Sequence, residues 1–472
     1  RINPDKPNSA STTKPSELDA ALSAQRTAFK SDPNPSWASR KAKLETLRDL
    51  ILGHEAEFTK AISDDFGHRA AEDTVIAEFL VIQGGISHAI KHTPKWMKTR
   101  KAPTAMQYKP ARNIIIPQPL GVIGIISPWN YPLQLAIMPL IGAIGAGNRA
   151  MIKPSEYTPR MSQLLKDVLA KGFSDDEVFV ATGGVDVAAA FSGLTFDHLV
   201  FTGSTSVGRI VGAAAGKNLV PVTLELGGKS PAIVTKDCNL KMTVKRLVWA
   251  KFLNAGQTCI APDYVLVDNS IKDQFLIHLK TEIKNQHYST ENNNYVQIID
   301  DKHYQRLVGM IDQKRVLVGG NCDESNRTIS PTVMTDITDN DEVMKDEIFG
   351  PILPVISYTN LDDAIATIKE RSKPLACYVF SKKTKTQKKI LNQISFGGGS
   401  VNEALMHLSN SKLPFGGVGS SGIGAYHGVH GFRTFSHFKG ILNKPTWFEA
   451  NLKYYPQSAK KLKLIKLLFG QR

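Results

Sequence analysis

Between Gly121 and Leu226 the chain alternates short β-branched runs with helical segments, and this rhythm restricts the fold more than any other feature. Gly121 to Ile126, Ala150 to Ile152, Glu177 to Ala181 and His198 to Phe201 read as strands. Met161 to Lys171 and Thr205 to Ala215 read as helices between them, and Leu133 to Ala146, apolar throughout, as a buried helix or a core crossover. A β-α-β-α order of this kind predicts a doubly wound α/β architecture, a parallel sheet with helices on both faces. A second α/β cycle begins after Leu226. Ahead of the first lie helices over Ser16 to Lys30, with Ser16 and Asp19 as a capping box, over Trp37 to Leu52, with Gly53 as its stop, and over Thr74 to His92. Asn113 to Ile116 is a further short strand, bounded by Pro117 and Pro119.

At 472 residues the chain suits two or three domains. No run of about 18 apolar residues appears, so no bilayer span is expected. Residues 1–15 are polar with three prolines and read as a disordered lead without a secretory apolar stretch. Cys238, Cys259, Cys322 and Cys377 are widely spaced, with no CxxC and no metal-ligand pattern. Free thiols, a reducing cytoplasmic setting and no metal are expected. The formal net charge is +15. Its basic residues cluster only over Lys91 to Lys101 and at Lys460, Lys461, Lys463 and Lys466. The first cluster reads as a solvated face. No zinc-finger, RNP or repeat signature accompanies it, so no nucleic-acid partner is expected. The second lies in Ser458 to Phe469, a short basic amphipathic helix suited to docking on protein or to peripheral membrane contact.

Several glycine motifs mislead. Gly145-Ala146-Gly147-Asn148-Arg149-Ala150 matches the dinucleotide fingerprint, but it follows a helix and opens a strand, the reverse of what that fingerprint needs. It reads as a helix C-terminus. Gly203 to Gly208 has phosphate-loop spacing, yet Arg209-Ile210 replace the required Lys-Ser/Thr. Its strand-turn-helix context still aims a helix N-terminus where an anion can sit.

Chemistry gathers in four other places. Cys259, in Ala255-Gly256-Gln257-Thr258-Cys259, lies in a constrained loop between a helix (Leu240 to near Asn254) and a strand (Tyr264 to Val267). A buried structural thiol is the plain alternative. Glu225, in Leu224-Glu225-Leu226-Gly227-Gly228-Lys229, is a carboxylate amid apolar residues, which is costly unless used or paired. Asn130 sits between prolines in Pro128-Trp129-Asn130-Tyr131-Pro132, where ordinary turn chemistry would also place it. Glu347-Ile348-Phe349-Gly350-Pro351 is the fourth, with a simple turn as its alternative.

Together and in this order, PWNYP, KPSE (Lys153 to Glu156), FTGSTSVG, LELGGKSP, GQTC, EIFGP and PFGG (Pro414 to Gly417) resemble the signature set of the aldehyde dehydrogenase superfamily. The resemblance runs from about Ser16 to Lys439. The form GQTCIAPDY is similar to the class 3 branch, and HLVFTGSTSVGR and GVIGIISPWNYP most to its bacterial coniferyl-aldehyde members.

The resemblance implies NAD-dependent oxidation of an aldehyde, aromatic or medium-to-long aliphatic, to the acid, with NADP accepted as well. Cys259 is implied as nucleophile, Glu225 as general base and Asn130 as oxyanion donor. Ser127, Trp129, Lys153, Glu156, Gly203, Ser204, Val207, Glu347 and Phe349 are implied on the cofactor, and Tyr131 and Phe415 in the substrate pocket. As nucleophile, Cys259 is expected to be alkylated ahead of the other three cysteines.

A homodimer is implied too. The matching domain plan gives 16–102 and 120–224 to the cofactor, 225–420 to catalysis, 103–119 and 421–445 to an oligomerisation arm, and 446–472 to a tail helix covering part of the substrate mouth. Two other outcomes are weighed. A scaffold on a retired enzyme fold is disfavoured by the intact Cys259, Glu225 and Asn130. Acyl transfer to coenzyme A or phosphate is disfavoured by Glu225, which suits water as acceptor.

Overall fold

The computed structural model describes residues 12–470. An arm carries strands β1 (Arg100–Ala102) and β2 (Arg112–Pro119). There follow β3 (Val122–Ile126), β4 (Arg149–Lys153), β5 (Val178–Val180), β6 (His198–Thr202) and β7 (Val222–Glu225). The second half holds β8 (Pro231–Val234), β9 (Tyr264–Asp268), β10 (Val316–Val318), a hairpin of β11 (Cys322–Asp323) and β12 (Thr328–Ile329), β13 (Thr332–Met334), β14 (Ile352–Tyr358), β15 (Ala376–Phe380) and β16 (Gly398–Val401). Last come β17 (Gly422–Ile423) and β18 (Ser436–Asn443).

The first sheet has six strands in the order β17-β7-β6-β3-β4-β5, with β3 to β7 parallel and β17 antiparallel at the edge. Alternate residues along its strands serve two cores, as the period-2 geometry of a strand requires. Val122, Ile126, Met151, Leu199 and Phe201 face the helices Pro15–Ser31, Val185–Ser192 and Thr205–Lys217. Ile123, Ile125, Ala150, Ile152 and Val200 face the other way, toward Trp37–Gly53, Leu80–Trp96, Gln134–Ala146 and Pro159–Leu169. This is the expected doubly wound arrangement. The second sheet has seven strands, β10-β13-β14-β9-β8-β15-β16, parallel except for β10. The arm is an antiparallel sheet, β1-β2-β18.

Several details depart from expectation. The first helix starts at Pro15, not Ser16: Lys14 is its cap, and the Lys14 N–H donates to Glu17 Oε2 (2.6 Å), so Ser16 and Asp19 form no capping box. Pro15 fixes a helical φ at the first position and draws the start forward. Residues 1–11 of the expected disordered lead lie outside the described residues. Thr13 is buried, its N–H donating to Thr182 O (2.8 Å) and its Oγ1 accepting from Thr182 N–H (3.0 Å). The second helix does end at Gly53 as expected, and a separate helix, Glu55–Phe66, follows at once and buries Phe58, Ile62 and Phe66 on one face.

The strand expected to stop at Ile116 continues through Pro117 and Pro119. β1 pairs only with residues 113–115, so beyond them β2 has an open edge where a missing N–H breaks no ladder. Residues 421–435 do not join the arm: β17 extends the first sheet, and Gly428–Thr434 packs on the helices Leu80–Trp96 and Gln134–Ala146. The tail forms a helix, Ala459–Leu468, with none of its residues buried. Its hydrogen bonds and ring contacts stay within the tail and arm, including an edge contact of Phe469 on Tyr108 (6.1 Å).

Gly147 caps the helix Gln134–Ala146 in the left-handed conformation (φ 91°, ψ 18°), and a Cβ there would meet the Arg40 guanidinium at 2.6 Å. Gly147→Ala is therefore expected to lower stability by about 1–3 kcal/mol. The same variant should leave the KM for a dinucleotide within about twofold, because this glycine caps a helix and touches no phosphate. Urea denaturation and steady-state kinetics check both, and a selective loss of cofactor affinity would return the motif to its dinucleotide reading.

Candidate active site

In the first sheet the chain runs from β3 outward through β4 and β5, then returns to place β6 and β7 on the other side of β3. The carboxyl ends of β3 and β6 thus flank a topological switch point, where open α/β sheets form their ligand crevice. Ser127, Trp129 and Asn130 follow β3, Lys153 to Glu156 end and follow β4, Gly203 and Ser204 follow β6, and Glu225 ends β7. The second sheet supplies Cys259 from the loop before β9, and Glu347 and Phe349 from the loop before β14. Phe415 comes from the segment before β17.

The Cys259 loop is shaped by an unusual turn. After the helix Leu240–Phe252, Asn254 (φ 53°), Ala255 (φ 52°) and Gly256 (φ 71°) are all left-handed. Non-glycine residues in this region each cost on the order of 1–3 kcal/mol, so neighbours must enforce it. A Cβ on Gly256 would lie 2.2 Å from Gly350 O, so the loop is pressed against Glu347-Ile348-Phe349-Gly350. Asn254 Nδ2 donates to Asn130 O (3.1 Å) and to Gln257 O (3.2 Å). Gln257 Nε2 donates to Asn254 O (3.0 Å) and Gln297 O (3.2 Å), while its Oε1 accepts from Ile299 N–H (3.0 Å).

Asn130 is buried, and its Nδ2 donates to Gln257 O (3.2 Å), which ties the amide to the cysteine loop. Next to it, the Tyr131 hydroxyl shares a 2.6 Å hydrogen bond with Thr258 Oγ1. Two adjacent residues of the first domain thus grip the two residues that precede Cys259.

Cys259 is half-buried. Burial raises its thiol well above the usual range, and the carboxyls of Glu347 and Glu225 add to the rise. Glu225 is 1% exposed with no hydrogen-bond partner on either carboxylate oxygen. Burial alone raises it well above an ordinary glutamate. Glu347 is pushed up to about 8 by burial and by Asp263. Its carboxylate rests on the glycine pair: a Cβ on Gly227 would meet Glu347 Oε2 at 2.0 Å.

Along the crevice, Lys153 is buried, with Nζ donating to Pro154 O (2.7 Å) and reaching Glu156 Oε2 at 3.5 Å. Ser204 caps the helix Thr205–Lys217, its Oγ accepting from Val207 N–H (3.4 Å), and Val207 is exposed. Gly203 N–H donates to Glu225 O (3.0 Å). Trp129 meets Phe349 edge-on (5.4 Å) and His303 (5.2 Å). Ser127 is buried and donates its N–H to Lys153 O (3.1 Å). Tyr131 and Phe415 are buried, and Phe415 stacks on His427 (5.4 Å).

The structure adds residues that the motifs do not announce. Asn254, outside every motif, holds the cysteine loop together with Gln257 of GQTC. Tyr426 is buried beside Glu225 and Cys259, and both acidic groups raise its phenol further. Arg69 and Glu78 form a fully buried ion pair (3.1 Å) under the Asn130 turn. Glu78 was accessible to the reasoning applied to Glu225, since it too is a carboxylate in an apolar run, Thr74-Val75-Ile76-Ala77-Glu78-Phe79-Leu80. Arg69 carries no sequence signal of its own.

Comparison with known proteins places this geometry in context. The profile described as the Aldehyde dehydrogenase family matches residues 5–441. A probable coniferyl aldehyde dehydrogenase from Pseudomonas aeruginosa is 44% identical over 458 residues, covering 96% of this chain and 96% of that protein. A dimeric NADP-preferring aldehyde dehydrogenase from Canis lupus familiaris is 39% identical, covering 95% of this chain and 99% of the relative. Among solved structures, the substrate-bound state of Staphylococcus aureus AldH has a TM-score of 0.92 at 39% identity, covering 96% of this chain and 99% of that one.

The thiol environments revise the expected order of cysteine reactivity. Cys322 is exposed, whereas Cys259 is half-buried; burial raises both thiols, and Glu347 and Glu225 raise that of Cys259 as well. In the free chain, iodoacetamide is expected to label Cys322 before Cys259. Because the Cys259 pKa is raised, its thiolate fraction grows with pH, so its labelling should climb by about tenfold per unit between pH 7 and pH 9. Peptide mass spectrometry on a pH series checks this, and a plateau for Cys259 by pH 8 would contradict a buried neutral thiol.

Proposed function

The chain belongs to the aldehyde dehydrogenase family, oxidoreductases acting on aldehydes, and from that premise we propose that it oxidises its aldehyde to the carboxylic acid through a thioester on Cys259. The observation that carries this reading is the tie between the Asn130 amide and the cysteine loop: the Asn130 Nδ2 bond to Gln257 O aims an N–H donor at the neighbourhood of Cys259. A carbonyl attacked by the thiolate becomes an alkoxide. The second Asn130 Nδ2–H and the Cys259 backbone N–H hold that developing charge. Attack requires loss of the thiol proton, which burial disfavours in the resting site; substrate and donors shift this balance as charge moves from sulfur to oxygen.

The dinucleotide supplies the hydride acceptor when bound. The chain's residues fit it: the capped helix at Ser204 presents its N-terminus to the crevice, as suits a pyrophosphate. In this reading Lys153 and Glu156 would hold the adenosine ribose hydroxyls, and Glu347 and Phe349 the second ribose. Ser127, Trp129, Gly203 and Val207 line the same crevice.

Water then attacks the thioester carbon as Glu225 takes its proton, and the C–S bond breaks to release the acid and return the Cys259 thiolate. Burial raises the Glu225 carboxyl, so its ionised form is a stronger proton acceptor than a solvated glutamate. Since only the ionised form accepts the proton, release quickens as pH rises. The substrate reading is an aromatic, hydroxycinnamyl or medium-to-long aliphatic aldehyde, supported by the buried aromatic pair Tyr131 and Phe415 and by the name of the Pseudomonas relative. A homodimer is supported by the exposed Ile441 and Leu442 on β18, with Trp447 just beyond it, and by the relative named as dimeric. The tail helix, with Leu462, Leu464 and Leu467 exposed, covers part of the substrate mouth in this reading. The four free cysteines suit a reducing cytoplasm.

Two outcomes test the chemistry. Cys259→Ala should abolish aldehyde oxidation while binding of the dinucleotide survives. Glu225→Gln should still form the thioester but turn over slowly, giving up to about one NADH per site on rapid mixing before a slow phase. A burst lost together with turnover would place Glu225 before hydride transfer instead.

Cofactor choice gives the second test. The Glu156 carboxylate accepts from a ribose 2′-hydroxyl and repels a 2′-phosphate. NAD should therefore have the higher kcat/KM, with NADP accepted, and Glu156→Gln should narrow the gap. A native preference for NADP would overturn this assignment.

A further inference from the structure

Behind Asn130 lies a buried assembly that contributes no group to the chemistry described above. Arg69 is 2% exposed, and Glu78 is completely buried. Arg69 Nη1 donates to Asn130 O (3.0 Å) and lies 3.1 Å from Glu78 Oε1. Glu78 Oε2 accepts from the backbone N–H groups of Leu133 (2.8 Å) and Gln134 (2.9 Å), the start of the helix that follows the Asn130 turn. The guanidinium also lies over the rings of Tyr131 (5.1 Å) and Phe66 (5.4 Å). One ion pair therefore holds the turn at both ends, at the Asn130 carbonyl and at the amides three and four residues on.

Glu78 reaches this place through an irregularity. The segment Ala71–Trp96 is interrupted by a π turn over Val75–Phe79, and Glu78 lies within it. A π turn inserts an extra residue and rotates the side chains that follow, which is how such turns come to serve particular sites. Replacing a buried pair by apolar groups is often neutral or stabilising for a fold, so stability alone gives little reason for a charged pair here. Position gives a better one. The Asn130 amide has one N–H on Gln257 O and one left for an oxyanion. Rotation of its peptide plane by a few tens of degrees would misdirect the second.

We propose that Arg69, with Glu78 as its counter-ion, is a positioning residue for the oxyanion site, acting through the Asn130 backbone. This rests on the role given to Asn130 above. Its signature is a fall in the rate of hydride transfer, not weaker dinucleotide binding. Because Arg69 acts through Asn130, its effect should vanish once the Asn130 amide is gone.

The experiment is a double-mutant cycle on the full chain, read by rapid-mixing NADH formation and by KM for NAD. Removing an oxyanion donor costs about 100- to 1,000-fold in rate, so Asn130→Ala should fall in that range and Arg69→Met by about 30-fold or more. In the Asn130→Ala background, Arg69→Met should cost less than about threefold. KM for NAD should move less than about twofold throughout, and Arg69→Lys, which keeps one donor, should recover part of the rate. Arg69→Met leaves Glu78 buried and unpaired, so Arg69→Met/Glu78→Gln is made alongside. If the single variant does not fold, this pair carries the cycle.

Multiplicative losses in the double variant, or a loss confined to KM for NAD, would overturn the positioning role. A fully active Asn130→Ala would instead overturn the oxyanion assignment itself, which separates the two failures.

Discussion

The site depends on a backbone turn that its residues would not adopt alone. Three successive left-handed residues, Asn254 to Gly256, carry the chain from the helix Leu240–Phe252 to Cys259. Only glycine takes this conformation without strain. The turn persists because its surroundings fix it: Gly350 O fills the space beside Gly256, and the Asn254 and Gln257 side chains bond to Asn130, Gln297 and Ile299. The position of Cys259 is therefore set by contacts from three distant segments.

Those contacts also explain why the site lies between two sheets. The carboxyl ends of β3, β4, β6 and β7 deliver the crevice residues, and the second sheet brings the thiol and Glu347 to meet them. The acidic groups gathered there, Glu225 and Glu347, are both raised by burial, as is the Cys259 thiol. Burial disfavours the charged form of each of these three groups.

Burial beneath the site is as specific as the site itself. Arg69 and Glu78 are two charges removed from water, one bonded to a carbonyl and the other to two amides of a single turn. Desolvation of such a pair is costly, and its Coulombic attraction only partly offsets it. Its directional hydrogen bonds fix geometry where apolar packing would tolerate small rotations.

The sequence by itself determined the alternation of strands and helices, because apolar periodicity is a local property that tertiary contacts here reinforce. It determined the rejection of Gly145 to Ala150 as a cofactor loop, since the order of helix and strand around it is local too. It marked Cys259, Glu225, Asn130, Lys153, Glu156 and Glu347 through short motifs in loops at strand ends. The tertiary structure alone decided which of these meet, because they are separated by up to 217 residues and brought together by sheet order. It alone decided that β2 runs through two prolines, since only the short reach of β1 leaves that edge open. It placed Cys322 in solvent and Cys259 half-buried, a difference that no residue type encodes. And it found Arg69, whose hydrogen bond to Asn130 spans 61 positions and leaves no periodicity or spacing to read.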